Sequence, residues 1–441
     1  MPVNGETGAD WAARSRAAVW HPCTQMKQHE RTPPVPVARA SGAWLYDFEG
    51  RRYLDAIGSW WVNLFGHADP RINAAVTQQL GELEHVMLAG FTHRPVIELS
   101  ERLAALAPPG LAHAFYGSDG ASATEIALKM SFHCWRQRGE AGKDRYARLA
   151  GGYHGETVGA LSVTDVPLFR DAYAPLLRSQ PVLPSPGVND ASDGPAAQRA
   201  TDEALAALEQ FLAAHASTTA ALIVEPLVQG ARGMAMYAPR YLRAARELTR
   251  RHGVHLIADE IMTGFGRTGT MFACEQAGIV PDFLCLSKGI TGGYLPLSCV
   301  LATDDVFSTF YDDDVTRGFL HSHSYTGNAL ACRAARAVLD IFRDDDVIAT
   351  NAAKAIRWRR MAAPLAAHAR VRGFRQCAMI VAFDVDGADP GFATRFAHEA
   401  LRRELVLRPI GSTVYFMPPY TLGDDDFALL VERTLRVIDA S

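Results

Sequence analysis

Cations are in the minority in this chain. There are 44 Lys and Arg against 48 Asp and Glu, a formal net charge of −4. No surplus of basic side chains is available to neutralise phosphates, which argues against an electrostatic nucleic-acid binder. Cysteine is scarce and odd in number, seven in 441 residues, with no C-x-x-C pair. That excludes a disulfide framework and predicts reduced thiols in a cytoplasmic protein. No run of about 18 apolar residues occurs, so no segment is expected to span a bilayer. The opening stretch, MPVNGETGADWAARSRAAVWHPC, has no basic stretch followed by an apolar one, so no signal peptide is expected. Internal repeats and low-complexity tracts are also lacking. What remains is ordinary globular composition, 48% hydrophobic and 21% charged. At this length the expectation is one large domain plus a smaller one, or two to three compact units.

Residues 1–58 are rich in turn formers, and 38–56 (ARASGAWLYDFEGRRYLDA) predicts a hairpin turning at Phe48-Glu49-Gly50. From about residue 70, helical patterns alternate with short apolar runs at 112–118, 221–226, 254–260, 282–288 and 297–303. Continuous apolar strands separated by helices, such as 239–253, predict an α/β fold with a mostly parallel sheet covered on both faces. The Pro/Gly/Asp-rich stretch 183–198 predicts a surface loop. A long helix should begin after residue 329, followed by a smaller α+β unit with strands at 377–385 and 412–419.

In open parallel sheets, ligands bind beyond the carboxyl ends of the strands. Polar groups stand there in this chain: Glu225 ends one run, Asp259 and Glu260 the next, and Lys288 the run DFLCLSK, with glycines directly after it. Lysine is rarely buried without a partner or a chemical purpose. In FYGSDGASATEIALKMS, Ser122 and Glu125 have capping-box spacing, and a glycine-containing loop opens a helix whose apolar face would be Ala123, Ile126, Ala127, Met130 and Cys134. Such a helix start can hold a phosphate on backbone N–H groups, although on this stretch alone an ordinary capped turn is the simpler reading. GFGRTG (264–269) matches G-x-G-x-x-G, but Asp259 and Glu260 intervene before the glycines and Asp282 begins its strand rather than ending it, so a dinucleotide fingerprint is disfavoured. His321 and His323 in HSHS have no third ligand at recognisable spacing, and no metal is expected. A strand-end lysine, a strand-end aspartate and a phosphate cup together fit pyridoxal 5′-phosphate (PLP): the amine forms a Schiff base and the carboxylate keeps the pyridine nitrogen protonated.

The segments LIADEIMTGFGRTG, CLSKGITGGYLPLS, GGYHGETVGALSVT and HSYTGNALAC resemble the class III, fold type I aminotransferases. Further segments, VWHPCTQMKQH, GSWWVNLFGH, EHVMLAGFTHRP, VEPLVQGARGM and LRPIGSTVYFMPPY, resemble the branch of that family that aminates a nine-carbon keto acid for biotin synthesis. The resemblance spans about residues 19–420. It implies that Lys288 is the Schiff-base lysine and proton shuttle, that Asp259 pairs with the pyridine nitrogen, and that Gly120 and Ala121 form the phosphate cup. It implies that Tyr153 stacks near the ring and touches substrate, that Trp60 walls the substrate channel, and that Arg408 holds a carboxylate. Ser322, His323 and Ser324 would reach toward the cofactor of a second subunit, where the family commonly has Gly-Pro-Thr. Cys23 stands where a substrate-recognising Tyr is common, and Met262 where many relatives have Gln. Arg267 and Tyr415 match positions near substrate, with a loop ion pair and a core aromatic as equal alternatives. The implied architecture is an N-terminal segment 1–58 packing with the small domain, a large PLP-binding domain 59–328 and a small domain 329–441, assembled as a cytoplasmic homodimer. S-adenosylmethionine is the expected amino donor; an ω-transaminase using lysine or another amine is the alternative, and a non-catalytic PLP binder and a nicotinamide oxidoreductase are the rivals.

Overall fold

A computed structural model describes residues 7–441; the first six residues of the expected 1–58 segment lie outside the described residues. The central sheet has seven strands in the order Leu111–Gly117, Ser298–Thr303, Phe283–Leu286, His255–Asp259, Thr219–Val224, Arg145–Leu149 and Val182–Leu183. All neighbours pair in parallel except Ser298–Thr303, which runs antiparallel to both of its partners. The strands Thr219–Val224, His255–Asp259 and Phe283–Leu286 are buried at every position, as strands covered on both faces must be.

Strand side chains alternate between faces, and two cores result. Ala221, Ile223, Ile257, Phe283 and Cys285 pack on one face against Ala123, Ile126, Ala127 and Met130 of the helix Gly120–Gln137. Leu222, Val224, Leu256, Ala258, Leu284 and Leu286 face the larger core on the other side.

Three N-terminal strands, Val37–Ser41, Trp44–Asp47 and Arg52–Asp55, form a sheet completed by the distant pair Leu405–Val406, which runs parallel to Arg52–Asp55. The expected hairpin turn falls at residues 48–51, with Gly50 at φ +80°. The C-terminal part holds a third sheet of Val371–Cys377, Ile380–Val385 and Thr413–Phe416. The expected single strand 377–385 is in fact two strands, because Ala378 takes φ +45° and reverses the chain. The long helix after 329 is Ala329–Asp344; it packs on the helices Pro70–Leu80 and Arg94–Leu106. The capping-box expectation is corrected: Asp119 is the N-cap, its carboxylate accepting the Ser122 N–H at 2.9 Å. Glu125 instead accepts from the Thr157 hydroxyl and from the Gly159 and Ala160 N–H groups, capping the helix Val158–Val163.

Candidate active site

Every parallel strand of the central sheet delivers its carboxyl end to one rim, and a cavity of about 430 Å³ opens there. Its lining includes Gly120, Ala121, Tyr153, Asp259, Lys288 and Glu225. Six residues singled out in the sequence are thus brought together from the ends of separate strands.

Lys288 follows the strand Phe283–Leu286 with φ +47°, a left-handed conformation that non-glycine residues avoid and that clusters at functional sites. Among the described residues its Nζ has no hydrogen bond or ion pair; it lies 4.9 Å from the centroid of the Trp61 ring. Burial holds the amine below its ordinary pKa, opposed by the charges of Asp259 and Glu225. A neutral amine is the nucleophilic form.

Asp259 accepts from His154 Nδ1 at 2.7 Å and from the Ile261 N–H at 3.1 Å. His154 is fixed from behind, its backbone N–H donating to Thr164 Oγ1 and its carbonyl accepting from Thr124 Oγ1; its buried Nε2 has no partner among the described residues. Glu225 accepts the Tyr153 N–H at 3.0 Å and the Gly230 N–H at 2.9 Å, so one carboxyl ties together two loops of the cavity wall. Burial, reinforced by Asp259, pushes Glu225 up to about 7. Tyr153 donates its phenol to Glu156 at 2.9 Å, and burial raises that phenol's pKa. Gly120 and Ala121 sit at the start of the helix Gly120–Gln137, where the first N–H groups lack intrahelical partners. Gly155, at φ +118°, lets its loop approach that start: a Cβ there would lie 2.6 Å from the Ala121 Cβ.

Other expected residues lie differently. Trp61, not Trp60, lines the cavity. Trp60 is 40% exposed, with the Arg408 guanidinium 4.8 Å from its ring centroid. Arg408 donates to the Cys23 carbonyl at 3.0 Å, so Trp60, Arg408 and Cys23 form one cluster outside the cavity lining. Residues 58–61 all have positive φ; Asp55 holds this strained stretch by accepting from the Ser59 N–H and hydroxyl. Arg267 is buried and donates to the carbonyls of Trp61, Asn63 and Pro418, which makes it a brace rather than a cavity residue. Tyr415 is buried too, accepting from Trp61 Nε1 at 3.1 Å. His323 bonds Ser118 of its own chain at 2.9 Å, and His321 meets Lys129. The Ser324 carbonyl accepts from His85, and Ser322 does not line the cavity. Met262 lines it beside Trp61. His154 was not singled out in the sequence, although GGYHG places it next to Tyr153.

The class III aminotransferase family model matches residues 25–438. The chain belongs to the class III aminotransferases. Adenosylmethionine-8-amino-7-oxononanoate aminotransferase of Helicobacter pylori is 42% identical over 435 residues, 97% of each chain. The protein of that name in Geobacter sulfurreducens is 38% identical, covering 97% of this chain and 96% of its own. Among solved structures, adenosylmethionine-8-amino-7-oxononanoate aminotransferase from Methanocaldococcus jannaschii has TM-score 0.92 at 32% identity, covering 98% of this chain and 99% of its own. A PLP-bound amine transaminase from an uncultivated Pseudomonas species has TM-score 0.89 at 33% identity, covering 96% and 98%. This aminotransferase is PLP-dependent, and its cavity suits the cofactor: a partnerless amine, a carboxylate backed by an imidazole, and free N–H groups at a helix start converge on one space.

Proposed function

We propose that the chain transfers an amino group from S-adenosylmethionine to 8-amino-7-oxononanoate, yielding 7,8-diaminononanoate for biotin synthesis. The observation that carries this reading is the set of relatives bearing that name at 38–42% identity over nearly full length. Bound PLP supplies an aldehyde for the amine and a protonated ring that accepts electron density. Lys288 would offer its amine to that aldehyde and then move the proton at the reacting carbon. Asp259, oriented by His154, keeps the ring nitrogen protonated through a charge-assisted hydrogen bond, worth roughly 1.5–3 kcal/mol. The N–H groups of Gly120 and Ala121 hold the phosphate, helped by the helix dipole. Tyr153, which lines the cavity, would cover the ring. Trp61 and Met262 suit the apolar chain of the keto acid. Arg408, laid on Trp60 and bonded to the Cys23 carbonyl, would hold the far carboxylate of the keto acid.

The division into an N-terminal segment 1–58, a large domain 59–328 and a small domain 329–441 is part of the same reading, and pairing of Leu405–Val406 with the N-terminal strands supports the first boundary. The working form is a cytoplasmic homodimer. Met87 (56%), Phe91 (58%), Leu320 (74%) and Tyr325 (61%) leave apolar surface exposed, on two segments joined by the His85–Ser324 and Asn328–Glu84 hydrogen bonds. A second copy would cover it and bring Ser322, His323 and Ser324 toward its neighbour's cofactor. No helix among the described residues is long and apolar enough to cross a membrane.

Incubation of the holoenzyme with both substrates, followed by mass spectrometry, should give the diamine. Product with lysine but not with S-adenosylmethionine would move the reading to the alternative donor; no product with any amine would overturn it. Sedimentation should show two copies.

A further inference from the structure

A second concavity, of about 680 Å³, lies between the helix Pro239–Arg251 and the turn at 278–280. Arg243, Arg246 and Arg250 follow at i, i+3 and i+7, which puts them on one helix face, and Arg251 flanks them. These four guanidinium groups are not equivalent. Arg246 is neutralised in a bidentate pair with Asp282, at 2.6 and 3.1 Å. Arg251 is shared between Glu209 at 3.4 Å and Glu247 at 3.3 Å, which also draws away the one carboxylate of the groove. Arg243 donates only its Nε, to the Ala277 carbonyl at 3.2 Å. The Arg250 guanidinium has no hydrogen bond or ion pair among the described residues. Two uncompensated cations therefore face one groove, on a chain of net charge −4.

We propose that this groove binds a multiply charged phosphate anion, a polyphosphate chain or a nucleoside triphosphate, held between Arg243 and Arg250. The planar guanidinium fork matches phosphate oxygens with two parallel hydrogen bonds. Seven residues of helix separate the two cations by about 10 Å along the axis, so an anion whose charge is spread over several phosphates can engage both. The volume falls within the range of small-molecule sites, roughly 300–1,000 Å³. Ile279 and Val280 supply an apolar wall on which a base can rest. The groove is distinct from the PLP cavity: Asp282 precedes the strand whose far end leads to Lys288, about 13 Å away over four residues of strand.

The test is calorimetric titration of the PLP-loaded enzyme, in which the phosphate cup is already filled, with sodium tripolyphosphate and, separately, with ATP. Wild type should bind one anion per chain, and the Arg243→Ala/Arg250→Ala variant should bind at least about tenfold more weakly. Raising NaCl from about 50 to about 500 mM should weaken the wild-type interaction. Arg359→Ala, an exposed arginine elsewhere, should bind as wild type does, and all variants should keep wild-type turnover. Equal affinity for both anions assigns recognition to the phosphates; tighter ATP binding adds the base on the apolar wall; either result supports the proposal. No binding by wild type, unchanged binding in the double variant, or equal binding of sulfate overturns it. Because turnover is read separately, failure here leaves the transaminase reading standing, and failure of that reading leaves this one.

Discussion

At the rim where the parallel strands begin, Asp282, the acid that opens one of them, is paired. Asp282 takes two bonds from Arg246 and also accepts the Leu256 N–H at 2.7 Å, pinning the first residues of two adjacent strands. His255 bonds Ser131 and stacks on Trp135, and burial brings it down to about 4, so it stays neutral. At the rim where the same strands end, the Lys288 Nζ has no hydrogen bond or ion pair among the described residues, and burial raises Glu225 to about 7. An uncompensated polar group in a folded interior costs stability. The difference between the rims shows where this chain accepts that cost, and both kinds of rim are built on the same strands.

Lys288→Ala should break the comparison most sharply. Turnover should fall by at least about 10³-fold, and borohydride should no longer trap the cofactor on the chain. The apo-protein should melt within a few degrees of wild type, because no ion pair is lost; a collapse in stability would mean that Lys288 is structural. Asp259→Asn should lower kcat by roughly 10²–10⁴-fold, read together with a changed visible absorbance of the bound cofactor. Asp282→Ala, at the opposite rim, should reverse the pattern: stability lower by roughly 1–3 kcal/mol in denaturant melts, since Arg246 loses its pair while half-buried, with kcat unchanged within about twofold.

The smallest effect concerns pH. Burial raises Glu225 and Glu260 to about 7 each, from an ordinary value of 4.5. The folded chain keeps protons that the unfolded chain releases, so their stabilisation is complete below about 4.5 and is lost as pH rises through about 7. His255 acts with the opposite sign: its contribution is present above about 6.5 and lost as pH falls toward about 4. Melts of the apo-protein between about pH 5 and pH 8 should therefore show a smaller alkaline decline in Glu260→Gln than in wild type, by roughly 1 kcal/mol. An identical decline would remove Glu260 from the account.

The sheet was legible in the sequence because its strands are short, apolar and separated by amphipathic helices; all five apolar runs are strands of it. Lys288, Asp259, Gly120 and Ala121 could be placed because backbone topology carries strand ends and the first helix turn to one rim, whereas Tyr153 came only with the family resemblance. Side-chain direction could not be read in the same way. Trp60 and Trp61 are neighbours in an unusual left-handed stretch, so no periodicity tells which one turns inward. Glu125 sits at capping-box spacing, yet its carboxylate reaches a helix more than thirty residues further along the chain. Glu260 reads in the sequence as a partner of Asp259 at the rim, but it accepts the Ala273 and Cys274 N–H groups and is absent from the cavity lining.

Arg267 ties together the chain's two extremities without a covalent bond, since its donors need carbonyls from both Asn63 and Pro418. During synthesis those acceptors emerge about 355 residues apart, and the indole beside Lys288 hangs on the same brace. The pocket's aromatic wall is thus among the last features to be completed, and a ribosome-stalled or C-terminally clipped chain would carry Lys288 with the indole beside it unbraced.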